Sequence, residues 1–247
     1  MRITRIYQAT PLQEGALISL DSQAATHVAR VLRLTLGDQI IVFNGEGGEY
    51  PGVIEAIDKR SVAVRLAAQQ SPATESSLQI LLIQGISRGE RMDYTLQKSV
   101  ELGVSEIYPV TTQHIAVHMD ASRGQKKQSH WQGVVNSACE QSGRVVVPQV
   151  HDLQSLNACV ENLPVQDESL RIMLDHRAAK PLTSIDESHV KHIVIVVGPE
   201  GGLSDEERDW LVAKGFIAIA MGPRVLRTET AAIAAIAIMQ ARWGDFK

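Results

Sequence analysis

Cysteine is scarce in this chain, with only Cys139 and Cys159 and no C-x-x-C pair. That excludes a zinc ribbon and a disulfide-built scaffold. Aromatic residues make up 4%, too few for a stacking platform rich in Phe and Tyr. The longest strictly apolar run, Ala231–Met239, is too short to span a bilayer. The first ten residues, MRITRIYQAT, contain no apolar signal core, so a soluble cytoplasmic protein is expected, without membrane contact. Chemical motifs are missing too. There is no H-E-x-x-H, no G-x-S-x-G nucleophile elbow and no phosphate loop with its Lys-Ser/Thr. His114 and His118 stand four apart, but Thr111–Asp120 reads as a loop, so no metal is expected. Gly45-x-Gly47-Gly48 reads as a hairpin turn. A nucleotide-binding α/β protein is disfavoured on the same grounds.

Excess positive charge is also absent, with a net of −4 over 247 residues. The charge is unevenly spread: residues 152–209 hold 12 acids against 5 bases, leaving the remainder at +3. A locally basic face is therefore compatible with the composition. The length allows one large domain or two modest ones, and a hydrophobic content of 44% is ordinary for a globular protein.

What is present changes texture along the chain. Residues 1–70 read as a small β-barrel domain of closely spaced strands, with one short helix capped by Asp21. That helix also carries His27, Arg30 and Arg33. Residues 71–77 read as a linker. Residues 78–247 alternate strand and helix, the pattern of an α/β domain with a mainly parallel sheet. Strands are expected at Leu78–Gln84, Glu106–Val110, Leu170–Leu174, Ile193–Val197 and Phe216–Met221. Helices are expected at Arg91–Leu102, Gln128–Gln141, Leu153–Asn162, from Ser204 to Lys214, and at Glu229–Arg242. The last of these is apolar nearly all round, so it needs burial on more than one side.

The strongest signal lies between Ile193 and Ala232. Two apolar runs each end in glycine and proline, as Gly198-Pro199-Glu200-Gly201-Gly202 and as Gly222-Pro223 leading to Arg224-Val225-Leu226-Arg227-Thr228-Glu229. Glycine after a strand lets backbone approach a ligand closely. Two such loops suggest one pocket at the carboxyl ends of neighbouring parallel strands. Arg224, Arg227 and Glu229 leading into an apolar helix need partners or a ligand if buried. Arg88 and Arg91 open another helix, where a solvated helix start is the simpler reading on charge alone. Glu140-Gln141-Ser142-Gly143-Arg144 reads equally as a helix C-cap and as a substrate-facing cluster.

These two loops resemble those of the knotted SPOUT methyltransferases. The particular likeness is to the bacterial ribosomal RNA small-subunit methyltransferase E family, whose members make N3-methyluridine in 16S rRNA. The resemblance covers the whole chain. It includes Met1-Arg2-Ile3 with Arg5-Ile6-Tyr7, His27-Val28 with Arg30-Val31-Leu32-Arg33, Gly89-Glu90-Arg91-Met92-Asp93, and Glu140–Arg144. One departure is Leu203, where the family often has Phe. The resemblance implies a PUA-like RNA-binding barrel followed by a trefoil-knotted domain, and a homodimer. It implies S-adenosylmethionine bound by Leu174, Val197, Gly198, Pro199, Gly201, Gly202, Met221, Gly222, Leu226, Arg227 and Thr228. Arg2, Arg5, Arg30, Arg33, Arg88 and Arg144 would contact 16S rRNA of the small subunit. Methylation at N3 needs that proton removed, by Glu229 or Glu140, with Arg91 or Arg227 stabilising charge on the uracil oxygens. Rival readings are a knotted enzyme acting on a tRNA base or a ribose 2′-hydroxyl, and a non-enzymatic assembly factor.

Overall fold

The computed structural model describes residues 3–58, 61–114, 121–164 and 168–246. The chain forms two compact units. The first comprises residues 1–75 together with 136–147; the second comprises residues 76–135 and 148–247.

The first unit is a five-stranded mixed sheet. Its strands are β1 (Thr4–Tyr7), β2 (Leu17–Ser19), β3 (Gln39–Phe43), β4 (Glu49–Ile57) and β5 (Val62–Leu66). Their order is β1-β3-β4-β5-β2, parallel only between β1 and β3. Among the described residues the ladder of the expected β-domain runs from β1 to β2. Alternation puts Ile40 and Val42, Ile54, and Val62 and Val64 into its core. Helix α1 (Ser22–Thr26) closes that core with Ala25, and Val28 follows from the next turn. Asp21 caps α1 by accepting from the N–H groups of Gln23 and Ala24.

The stretch read as a free linker ends in a fixed residue. Glu75 accepts from Arg144 Nη2 at 2.7 Å and from the N–H groups of Val145 and Val146 at 2.9 and 3.1 Å. Main-chain bonds Gly47 N–H to Val145 O and Val147 N–H to Gly45 O extend the join. Those contacts explain why residues 136–147, the last part of a long helix and the segment after it, belong to the first unit.

The second unit holds seven parallel strands. They are β6 (Gln79–Gly85), β7 (Glu106–Thr111), β8 (Gln149–Val150), β9 (Gln154–Ser155), β10 (Leu170–Leu174), β11 (His192–Val197) and β12 (Ile217–Ile219). The order is β12-β10-β11-β6-β7-β8, with β9 also on β7. The chain starts in the middle at β6, builds outward to β8, then crosses back to β11's side. The reversal of direction falls between β6 and β11, where ligands bind in open parallel sheets.

Both sheet faces are covered, which is why these strands read as unbroken apolar runs. Leu81, Ile83, Val194 and Val196 pack on one face with Leu156, Val160, Leu211 and Phe216 from α4 (Leu156–Glu161), α5 (Asp205–Ala213) and the approach to β12. The helices α2 (Glu90–Glu101) and α6 (Thr228–Trp243) pack together, and α6 also meets β11. The remaining helix, α3 (Ala121–Ser142), begins seven residues before the expected Gln128 and is shared between the two units. Ser204 and Glu207 form the expected capping box on α5.

Candidate active site

A cavity of about 540 Å³ lies at the carboxyl ends of β10, β11 and β12. Its walls include Leu174, Val197 and Ile219 from those strands, Met221 and Leu226 from the loop after β12, and Thr228 and Ala231 from α6. That volume falls within the range of small-molecule sites. Its main-chain edges are supplied by the first glycine loop, where Gly202 N–H donates to Pro199 O at 2.9 Å and Gly202 sits at φ +70°. Glycine takes that left-handed conformation without the Cβ penalty. Gly85 is needed for another reason. A Cβ there would lie 2.6 Å from Pro199 N and Cδ, so the end of β6 and the loop after β11 touch backbone to backbone.

A buried hydrogen-bond relay holds this loop to α6. Thr228 Oγ1–H donates to Gly198 O at 2.6 Å. The same oxygen accepts from Gln84 Nε2 at 3.1 Å, and Gln84 Nε2 also donates to Gly85 O at 2.9 Å. Gln84 is fully buried. The relay has one polarity, because an amide NH2 can only donate and a carbonyl can only accept.

Charged groups ring the mouth. Glu200 accepts from Arg88 N–H and Arg91 Nη1, each at 3.0 Å. Burial alone would raise the Glu200 pKa, but those two donors hold it below the usual carboxylate value. Asp175 is buried after β10, where Arg177 and Arg208 pair with it. Burial again pushes upward, and the Arg177 N–H with both guanidiniums overcomes it, so Asp175 titrates low. A carboxyl held low stabilises the fold above its unfolded pKa of about 3.9 and loses that contribution as pH falls through the folded value. We expect Asp175→Asn to cost on the order of 1–3 kcal/mol at pH 7, discounted because both arginines reach solvent. Urea unfolding should show this gap to the unsubstituted protein closing below pH ~4. A gap unchanged at low pH would mean that Asp175 acts by packing.

The residues expected to hold a cofactor converge. Leu174, Val197, Gly198, Pro199, Gly201, Gly202, Met221, Leu226, Arg227 and Thr228 all line the cavity, while Gly222 is not on its wall. Arg91 and Arg227 also line it. Glu229 is not among the lining residues; its Oε2 is buried and has no hydrogen-bond partner among the described residues. Glu140 lies in the first unit, where Oε1 accepts from Tyr7 N–H at 2.9 Å.

The expected RNA contacts divide. Arg30, Arg33 and Arg88 are exposed. Arg5 and Arg144 require correction. Arg5 is largely buried against Glu49 and donates to Arg144 O, and Arg144 is buried on Glu75. A buried, paired guanidinium has no free face for phosphate, and its structural pairing explains the residue. Arg2 and His118 lie outside the described residues. His114 is at the rim, donating from Nδ1 to Gly201 O at 3.0 Å.

Sequence reasoning passed over Asp175, Arg177 and Arg208. Their signal was available: Asp175-His176-Arg177 follows β10 just as Gly198 follows β11, and residues after parallel strands line such clefts. Gln84 had no such signal, since a polar residue inside an apolar strand shows its partner only in three dimensions.

With this geometry in place, comparison with known proteins is direct. Residues 74–240 match the family model of an RNA methyltransferase domain, and residues 20–67 match that of an RNA methyltransferase PUA domain. A ribosomal RNA small subunit methyltransferase E from Buchnera aphidicola subsp. Schizaphis graminum is 32% identical over 99% of this chain and 98% of its own. The namesake enzyme of Bacillus subtilis is 28% identical over 91% of this chain and 90% of its own. The crystal structure of that enzyme from Neisseria gonorrhoeae, bound to S-adenosyl methionine, is 37% identical with a TM-score of 0.91, covering both chains fully. A putative methyltransferase from Legionella pneumophila, also with bound cofactor, is 39% identical with a TM-score of 0.92, over 99% of this chain and all of its own. A mixed-sheet PUA-like unit, a parallel SPOUT unit and full-length likeness to named relatives place this chain in the ribosomal RNA small subunit methyltransferase E family.

Proposed function

We propose that this family member transfers a methyl group from S-adenosylmethionine to N3 of one uridine in 16S ribosomal RNA of the small subunit. The observation that carries the reading is the pairing of a three-strand cavity with Glu229, next in sequence to the lining residue Thr228, whose buried Oε2 has no donor among the described residues. An unfilled acceptor is what a uracil N3–H requires.

The cavity fits the cofactor by chemistry. Apolar Leu174, Val197, Ile219, Met221 and Leu226 suit adenine and the thioether-bearing chain, and main-chain edges of the glycine loop suit the base's nitrogens. Asp175 and Glu200 offer carboxylates to an ammonium group. When bound, the cofactor supplies an electrophilic methyl on a sulfonium. Glu229 then takes the N3 proton as the base turns anionic. Arg227 is exposed at the wall and has no ion pair among the described residues, so it is the cation placed to stabilise charge on O2 or O4. Arg91 does less here, because Glu200 already holds it. The target base is unstacked into the pocket, as chemistry on a base edge within structured RNA demands.

A homodimer joined through the outer face of α6 completes the proposal, since Ile238 is 39% exposed there. Sedimentation should give twice the 27.0 kDa chain mass, and Ile238→Glu should halve it.

The function is tested by treating small-subunit RNA with protein and labelled cofactor, then analysing nucleosides by mass spectrometry. N3-methyluridine is the expected product. A 2′-O-methyl nucleoside, or label confined to tRNA, would replace this reading.

A further inference from the structure

The first unit contains a turn whose conformation is costly and whose side chains face water. After α1 the helix widens: Leu32 N–H bonds to His27 O at 2.9 Å, and Leu34 N–H to Val28 O at 3.1 Å. Residues His27–Val31 form this π-type turn. Single π turns inside helices concentrate at functional sites. The chain leaves through Arg33 at φ 54°, the sole non-glycine residue with positive φ among the described residues. Such an exit favours glycine or asparagine. An arginine there is strained, and strain retained in a fold directs attention to function.

Val28 enters the core and Ala29 and Leu34 pack against it, but the other side chains of the turn do not. Ala25 and Val28 already fill the inner face. Val31 and Leu36 are each 65% exposed, and Leu32 is 37% exposed. Arg30 and Arg33 are exposed and have no ion pair among the described residues. The nearby acids are occupied, Asp21 in capping α1 and Asp38 in accepting from Thr35 N–H and Oγ1. The turn thus presents aliphatic groups and unneutralised cations along ten residues.

We propose that His27–Leu36 is an apolar wedge for structured RNA, with Val31, Leu32 and Leu36 against base faces and Arg30 and Arg33 on flanking phosphates. The inference rests on the reading of RNA as substrate. Aliphatic side chains inserted at a base step unstack it, while neighbouring cations hold the backbone. The low aromatic content leaves this task to aliphatic residues.

The two contributions separate by salt. Phosphate contacts set the slope of affinity against salt concentration; apolar contacts do not. Binding of full-length protein to transcribed 16S rRNA is measured over a salt series, alongside S-adenosylmethionine titration, thermal melting and sedimentation. The double change Val31→Ser with Leu36→Ser should weaken RNA binding by about tenfold with an unchanged slope. Changing Arg30→Ala with Arg33→Ala should reduce the slope by roughly 1.4, at about 0.7 per lost contact on single-stranded segments. Arg33→Gly should raise the melting temperature while weakening RNA binding, which a purely structural arginine would not do. Full RNA affinity in the Val31/Leu36 variant would overturn the wedge. So would a changed oligomeric state with RNA affinity intact, which would assign the patch to another protein surface. If the unsubstituted protein neither binds nor methylates the RNA, the proposed function fails first. If it does both and the variants match it, only the wedge fails.

Discussion

Glu229→Gln should lower the single-turnover rate of methyl transfer by about 10²–10⁴-fold, the usual weight of one acid–base group. Cofactor affinity stays within about twofold, because Glu229 is not on the cavity wall. The substitution preserves shape and removes the ability to take a proton. Oε2 of Glu229 has no hydrogen-bond partner among the described residues, so the amide breaks no contact with them there. Glu140→Gln is the control. Burial raises the Glu140 pKa, against the opposing Tyr7 N–H, His27 and Arg5, which suits a base. One of its oxygens is already given to the Tyr7 N–H, however, and glutamine keeps that acceptor. Its loss should be far smaller. Rapid-quench assays at saturating cofactor decide between them: full rate in Glu229→Gln removes that residue from the chemistry, and a larger loss in Glu140→Gln transfers the role.

The second large effect is on cofactor binding. Thr228→Val keeps volume and abolishes the relay, leaving Gly198 O without its Thr228 donor and one Gln84 N–H without its acceptor. Each orphaned buried group costs on the order of 1–3 kcal/mol. Part of that falls on the fold and part on the loop that shapes the cavity. We expect S-adenosylmethionine to bind at least about tenfold more weakly by calorimetry, since ~1.4 kcal/mol is one decade. Thr228→Ser, which retains the hydroxyl, should restore most of the affinity. A valine variant that melts earlier yet binds cofactor normally would make the relay a matter of stability alone.

Much of this was legible beforehand, for definite reasons. The strands β6, β10 and β11 announce themselves because both faces are buried, and so does the end of each in a polar or glycine-rich loop. The cavity wall followed from that rule. What could not be read were pairings across long sequence separations. Arg5 and Arg144 look like RNA-binding cations in a list of residues; Glu49 and Glu75 consume them. Glu75 sat in a stretch without periodicity, yet a carboxylate needs no periodicity to pin four donors. The short β12 was overestimated, Phe216–Met221 against Ile217–Ile219, because an apolar run records burial and not ladder pairing.

The relay between Gln84 and Thr228 joins residues 144 apart in sequence. The cavity's last wall is therefore made late in synthesis. While the ribosome is still adding α6, β6 has long been available to fold, yet its Gln84 amide has only the neighbouring Gly85 carbonyl to donate to, and Gly198 O has no Thr228 hydroxyl to hold it. Such distant closure is slow and leaves the partly made chain open to misfolding. A nascent chain lacking α6 therefore lacks the part of the cavity wall that Thr228 and Ala231 supply.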